Sequence, residues 1–199
     1  RKDIWRDLAD VFASGANYLD ELGWRGDERW GREVGLPADF PWAEAQLDVQ
    51  KPLATWAEMG VTKANGDPLP TPDGMKGSIV LPQGHEGPAF IVYENFRHIL
   101  SWNRSLNYAI AVGHLADRIV GGPKIRTGRD APNEAVSFAD VETIQRRLNA
   151  LGHDAGPVDG VPGERTRDAI RRYQQAKDLP ADGRPSPALL ERLTSTSRE

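Results

Sequence analysis

The groups in this chain that could do chemistry at neutral pH are carboxylates, four histidines and a few polar side chains set against aromatic ones. A thiol is not among them, because the 199 residues include no cysteine. That excludes disulfides, metal thiolates and a cysteine nucleophile, and it is compatible with an oxidising compartment. His85, His98, His114 and His153 show no metal spacing, neither an i, i+4 pair nor an HExxH string, so no metal and no cofactor is expected. No nucleophile elbow or phosphate loop occurs either. Acid-base work would fall to a carboxyl group, and the candidates are ordinary. Glu94 opens a helix, where the dipole favours the ionised form, and Glu21 and Glu58 fall on helix faces expected to be exposed. The most suggestive polar run is Trp102, Asn103, Arg104 and Ser105, which interrupts the only long apolar stretch, Phe90 to Ile119. Asn103 either pins the turn there or lines a cleft, and Trp102 is either core or cleft wall; a buried asparagine must find partners or cost a few kcal/mol.

The elements that must hold these residues follow from periodicity. Ala89 to Tyr93 reads as a strand, Asn95 to Leu100 as a short helix and Leu106 to Ile119 as a longer one. In that longer helix Tyr108, Ala111, Val112, Leu115 and Ile119 make one apolar stripe and Leu106, Ala109, Ile110 and Gly113 a second, which predicts a central helix packed on two sides. A first helix is expected from Asp7 to Leu22, with Leu8, Val11, Phe12, Gly15, Leu19 and Leu22 as its core stripe and Gly23 as its stop. Ser14, Asn17, Tyr18 and Glu21 flank that stripe, as a solvated face or as the edge of a site.

Between Trp24 and Gly87 the pattern breaks into short pieces rich in Gly and Pro. Strands are expected at Glu33 to Leu36 and Ser78 to Leu81, with a helix at Pro52 to Met59. This predicts a small β lobe inserted between helices, an α+β arrangement. Trp24, Trp30, Trp42 and Trp56 either fill its core or form a wall on which sugars stack.

Residues 1–120 thus form a first unit, 121–136 an aperiodic linker and 137–199 a second unit. The second unit has Val141, Ile144, Leu148 and Leu151 on one helix face, Ala169, Ile170 and Tyr173 on another, and Leu189, Leu190 and Leu193 on a third, with Asp159-Gly160 and Asp182-Gly183 turns between them. Three short helices predict an all-α bundle of about 60 residues, small but able to fold alone.

A net charge of −4 and a pI near 5.6 give no electrostatic footprint for nucleic acid or an anionic membrane. No apolar run reaches the roughly 18 residues needed to span a bilayer, so a membrane would be met only through an anchor lying outside this chain.

The string from Gly87 to Ile119 resembles the carboxyl-terminal part of the catalytic domain of the membrane-bound lytic murein transglycosylase B family. Asp3-Ile4-Trp5, Ser14-Gly15-Ala16-Asn17-Tyr18-Leu19, Gly23-Trp24, Trp56-Ala57-Glu58-Met59-Gly60-Val61 and Leu81-Pro82-Gln83-Gly84 agree with it in family order. Asp159-Gly160, Gly163, Thr166, Ala169 and Ile170 resemble the motif of the small peptidoglycan-binding domain appended to many wall hydrolases. The resemblance implies a partial lysozyme-like domain with periplasmic, cell-envelope action on peptidoglycan glycan strands and muropeptides. It implies supporting roles for Ser14 and Asn103 beside the catalytic carboxyl, and substrate contacts at Tyr18, Trp102, Asp159, Arg165 and Thr166. Asp159 could equally just shape its turn, and Thr166 could just cap a helix. The family's catalytic glutamate is expected upstream of residue 1, so the chain alone is expected to be inactive. The expected geometry joins the first and central helices through Gly15 and Gly113 and sets Ser14 and Asn103 on one groove.

Overall fold

The protein is described by a computed structural model covering residues 3–126, 128 and 135–195. Helix α1, Leu8–Glu21, begins where the Asp7 carboxylate accepts hydrogen bonds from the Ala9 and Asp10 amides, and it ends before Gly23, whose φ of 94° suits a residue without Cβ. The lobe that follows holds β1 (Gly31–Gly35), a 3-10 turn at Trp42–Glu44, β2 (Lys51–Pro52), α2 (Leu53–Glu58), β3 (Thr62–Lys63), β4 (Lys76–Val80) and β5 (Ala89–Val92). Helices α3 (Glu94–Trp102) and α4 (Leu106–Ile119) close the first unit, and α5 (Phe138–Ala150), α6 (Glu164–Ala176) and α7 (Pro187–Ser195) form the second. The α+β class and the bundle are as the periodicity predicts.

The five strands pair antiparallel in the order β2-β4-β5-β1-β3. Strand β5 is the reason the sheet sits inside the unit. All four of its residues are buried, because alternate side chains feed two cores. Ile91, with Ile79, Val34, Leu53 and Trp56, packs on the α2 side, whereas Phe90 and Val92, with Val80, Trp30, Phe96 and Ile110, pack against α3 and α4. Trp30 and Trp56 are therefore core residues, and each buried indole N–H is satisfied: Trp56 donates to the Gly77 carbonyl at 2.8 Å and Trp30 to the Asp117 carboxylate at 3.0 Å. Neither can be part of a sugar-stacking wall.

Two expected helix faces are corrected. No residue of α1 is buried, and Leu8 and Phe12 of its expected core stripe are each 72% exposed. Helix α4 is buried only through Ala109, Ile110 and Gly113, while Tyr108, Val112, Leu115 and Ile119 are exposed, so it is packed on one side and is not central. An amphipathic pattern states which face seeks cover, and among the described residues nothing covers these two. Gly113 does serve a close approach, but to an aromatic ring: a Cβ there would lie 2.6 Å from Cε2 and 2.7 Å from Cγ of Trp30. A Cβ on Gly15 would meet nothing within 4 Å, so the expected Gly15–Gly113 contact is absent.

In the second unit Ser137 and Asp140 form a complete capping box for α5, and the Ser186 hydroxyl accepts from the Leu189 amide above Pro187 at the first position of α7. Ile144, Leu148, Ala169, Ile170, Tyr173, Leu189 and Leu193 make its core. Of the expected linker, residues 127 and 129–134 lie outside the described residues. Its first part is anchored, with Ile125 packed on the α3/α4 core and the Arg126 amide donating to both oxygens of Glu33 at 2.9 and 2.8 Å. Aperiodic sequence does not distinguish a free tether from a strap laid on the surface.

Candidate functional site

The turn between α3 and α4 is where the polar run falls. Asn103 ends α3 in an extended conformation, its amide donates to the Ile99 carbonyl, and its side-chain oxygen accepts from the Ser105 amide at 3.0 Å. Ser105 in turn caps α4, accepting from the Tyr108 amide. Asn103 therefore shapes the corner while remaining exposed, and its Nδ2 has no partner among the described residues. Trp102, 61% exposed, meets Tyr18 of α1 edge to face with ring centroids 5.2 Å apart. This pair brings the first helix to the corner. Ser14 stands one turn before Tyr18, on the same face and half-buried like it. Tyr18, Trp102 and Asn103 thus meet at one corner through an aromatic pair and not through the glycine contact expected, with Ser14 one turn back along α1.

The glutamates named from the sequence sit in ordinary paired or solvated settings. Glu94 lies 3.9 Å from Arg97 as an ordinary half-exposed pair, Glu21 accepts from Asn17 at 2.7 Å on an exposed face, and Glu58 is exposed. Among the described residues, the carboxylates whose pKa departs from the ordinary value are all lowered, namely Asp67, Asp140, Asp159 and Asp182. A general acid needs the opposite shift. The described residues also contain no cluster able to hold a metal ion.

In the bundle the expected contacts separate. Arg165 is exposed and pairs with Asp154 at 2.5 Å. Thr166 is only 2% exposed, and its hydroxyl accepts from Gln145 at 3.1 Å and donates to the Ala155 carbonyl at 2.9 Å, so it serves the interior and is corrected as a surface contact. Asp159 is exposed, and its Oδ1 accepts from the Gln145 side chain and from the Val161 amide, both at 2.9 Å, which holds the carboxyl below its usual range.

Two features were missed. Gln145, buried at the centre of α5, grips the Asp159-Gly160 turn, donating to Asp159 and accepting from both turn amides at 3.0 Å. Gln174 of α6 does the same for Asp182-Gly183, donating to Asp182 at 2.8 Å and accepting from the Gly183 amide at 2.9 Å. The signal lay in the sequence as a repeat: a helical Gln, then Asp-Gly-x-Pro, at 145 with 159–162 and again at 174 with 182–185.

The second missed feature joins the two units. Oδ2 of Asp182 accepts from the His85 amide at 3.1 Å and contacts His85 Nδ1 at 2.9 Å, and the Arg184 guanidinium donates to the Gln83 carbonyl. The hydrogen bond to Asp182 raises the His85 pKa against the opposing effect of partial burial. Burial pushes Asp182 up, but bonds from His85, the Arg184 amide and Gln174 outweigh it and leave its pKa lowered. Beside this latch lies a crevice of about 730 Å³ between the units, lined in part by Asn107, His114, Arg118, Arg167, Asp182 and Arg184.

Two family models match the chain. Residues 1–117 match the family described as Transglycosylase SLT domain, and residues 138–193 match "Putative peptidoglycan binding domain". The chain belongs to the transglycosylase SLT domain family. It is similar to SltB3 from Pseudomonas aeruginosa, solved in complex with NAG-anhNAM-pentapeptide, at 49% identity and a TM-score of 0.92 over 96% of this chain and 52% of that one. The same protein in complex with NAG-NAM-pentapeptide matches at 49% identity and a TM-score of 0.91, over 96% and 51% of the two chains. The chain thus spans about half the length of the structures it matches, with a lysozyme-like fold. No curated protein matches it.

Proposed function

We propose that this chain is the carboxyl-terminal part of a periplasmic lytic murein transglycosylase, in which the Tyr18–Trp102 corner forms one wall of the glycan cleft and the bundle holds the wall polymer. The observation that carries this is the corner itself. In a chain of the transglycosylase family, it brings together an exposed indole, a half-buried phenol and an amide whose Nδ2 has no partner among the described residues. The solved relative binds both a NAG-NAM and a NAG-anhNAM pentapeptide, a substrate-like and an anhydro-ended muropeptide.

The reaction needs one carboxylic acid. It protonates the glycosidic oxygen between N-acetylmuramic acid and N-acetylglucosamine as that bond breaks, and then, as carboxylate, takes the proton of the muramoyl 6-hydroxyl while that oxygen closes the 1,6-anhydro ring. No water is consumed. A raised pKa suits both steps, and no described carboxylate has the setting for it. The acid is therefore assigned to a segment outside this chain, where Ser14 and Asn103 would fix its rotamer. The exposed apolar faces of α1 and α4 support the presence of such a segment.

Incubation with purified sacculi tests this directly. The chain is expected to sediment with sacculi and to release no 1,6-anhydromuropeptide by mass spectrometry. Anhydro products would show that an acid within this chain works. Reducing ends would point to an ordinary muramidase, and a chain left in the supernatant would overturn the wall-binding role.

A further inference from the structure

The repeat in the bundle gives two Asp-Gly turns built alike and used differently. In each, a buried helical glutamine holds the turn by donating to Oδ1 of the aspartate and accepting from a turn amide, and in each Oδ1 also accepts from the amide two residues on, Val161 or Arg184. This leaves Oδ2 of the aspartate as the free acceptor of the turn. In the second repeat that atom is occupied: Asp182 Oδ2 takes a backbone N–H and a ring nitrogen from His85 of the other unit. In the first repeat, no donor among the described residues reaches Oδ2 of Asp159, and the carboxylate is exposed.

The surroundings of the two turns differ in a way that selects the ligand. Where the second repeat has Arg184, which reaches the Gln83 carbonyl, the first has Val161. Val161 and Val158 are exposed beside Asp159, and Phe138, 75% exposed, lies against the turn, its Cδ1 being 3.1 Å from where a Cβ of Gly160 would stand. The first turn thus offers a single ionised acceptor within a small apolar rim. That is the complement of a peptide N–H flanked by small apolar side chains, and it is not the complement of a sugar ring, which brings many hydroxyls and needs several donors and acceptors.

We infer that the Asp159-Gly160 turn is the site at which the bundle takes hold of the stem peptide of peptidoglycan, with Asp159 Oδ2 accepting a peptide N–H as Asp182 Oδ2 accepts that of His85. This rests on the wall-binding reading above and narrows it to the peptide. The glycan is left to the Trp102 corner.

Asp159→Asn isolates the atom concerned, because the amide keeps Oδ1 for Gln145 and the Val161 amide while turning Oδ2 into a donor. The whole chain would be titrated with NAG-NAM-pentapeptide and with peptide-free NAG-NAM, following amide chemical shifts and affinity. With wild type, the pentapeptide compound is expected to shift the amides of Asp159, Gly160 and Val161, and the peptide-free compound to leave them in place. Asp159→Asn is expected to weaken the pentapeptide compound about tenfold, the loss of one charge-assisted hydrogen bond, with only a small fall in melting temperature because the amide keeps the two Oδ1 bonds. Equal shifts with both compounds, shifts elsewhere only, an unaltered affinity in the variant, or a melting temperature that falls with affinity unchanged would each overturn the inference. Sedimentation of wild type with sacculi separates the two readings. If it persists in those cases, the wall-binding role stands and only the peptide site is lost; if wild type does not sediment, both fall.

Discussion

Replacing Gly113 by Ala sets two effects of known sign against each other. Within a helix, Gly to Ala is worth up to about 1 kcal/mol in favour of the folded state, through the conformational freedom that the unfolded chain loses. At Gly113, however, the new Cβ would stand 2.6 Å from Cε2 and 2.7 Å from Cγ of Trp30, closer than nonbonded carbons come. Trp30 cannot move aside easily, since it is 5% exposed, packs with Phe90 and Phe96, and is anchored through Nε1 to Asp117 of the same helix. Overpacking at such a site costs typically 1–3 kcal/mol, more where a ring and its hydrogen bond are displaced together. The clash wins, and Gly113→Ala should lose about 1–2 kcal/mol net. Gly15→Ala is the matched control, because nothing lies within 4 Å of its Cβ, and it should gain about 0.5–1 kcal/mol. Thermal unfolding followed by near-ultraviolet circular dichroism of the tryptophans reads both, each kcal/mol being about 2–4 °C in a chain of this size. If Gly113→Ala stabilises as much as Gly15→Ala, the indole does not require that glycine and the account of α4 is wrong.

Other changes follow from the same geometry. Asp182→Asn removes the charge that raises the His85 pKa, so the His85 titration midpoint, read from its ring proton shifts, should fall toward 6.5; an identical midpoint in the variant would refute the latch. The sign for stability follows, since a raised histidine pKa stabilises fully below its unfolded value and is lost as pH rises through the folded one, whereas the lowered Asp182 pKa gives stability lost only in acid. The docking of the two units should therefore be tightest in mildly acidic solution and loosen as pH rises through the raised His85 pKa, which small-angle scattering across a pH series would show. Gln145→Ala should unfold the bundle or cost it about 3 kcal/mol in urea denaturation, because it strands the Asp159 and Gly160 amides beside a cavity; a loss under about 1 kcal/mol would mean that the turn holds itself. Trp102→Ala should cost only about 1 kcal/mol of stability, the lost Tyr18 contact, while weakening binding of NAG-NAM by about fivefold in calorimetry, and unchanged binding would remove Trp102 from the cleft.

The element pattern was legible where local rules decide it. The Leu106 helix, the strands at β4 and β5 and the two Asp-Gly turns each depend on period or turn chemistry within a few residues. Faces were less legible. Leu8 and Phe12 carry the pattern of a core stripe, yet a pattern records a preference for cover and not the presence of a partner. Gly113 was readable as a point of close approach, but the approaching group, Trp30, is more than eighty residues away and nothing local names it. The candidate site residues were reachable through family resemblance, but the contact between two of them, Tyr18 on Trp102, is a tertiary fact. Thr166 shows the reverse difficulty: a hydroxyl near a motif glycine reads the same whether it faces ligand or core, and only its bonds to Gln145 and Ala155 decide.

On the proposed wall-binding reading, the latch would bear on how the polymer is held. A bundle on a free tether would add avidity by searching, with an effective concentration set by tether length. Here the His85–Asp182 contact and the Arg184 bond to Gln83 seat the bundle on the lobe, while Ile125 and the Arg126 amide hold the strap to the first unit. If the Asp159 turn takes the peptide as inferred, using the second Asp-Gly turn for docking would remove the other of two similar acceptors. What it supplies is a set distance between the Asp159 turn and the Trp102 corner. A polymer whose repeating unit carries both sugar and peptide presents its two groups at set spacings too, so a rigid pair of sites can select register along a strand where a tethered pair could not.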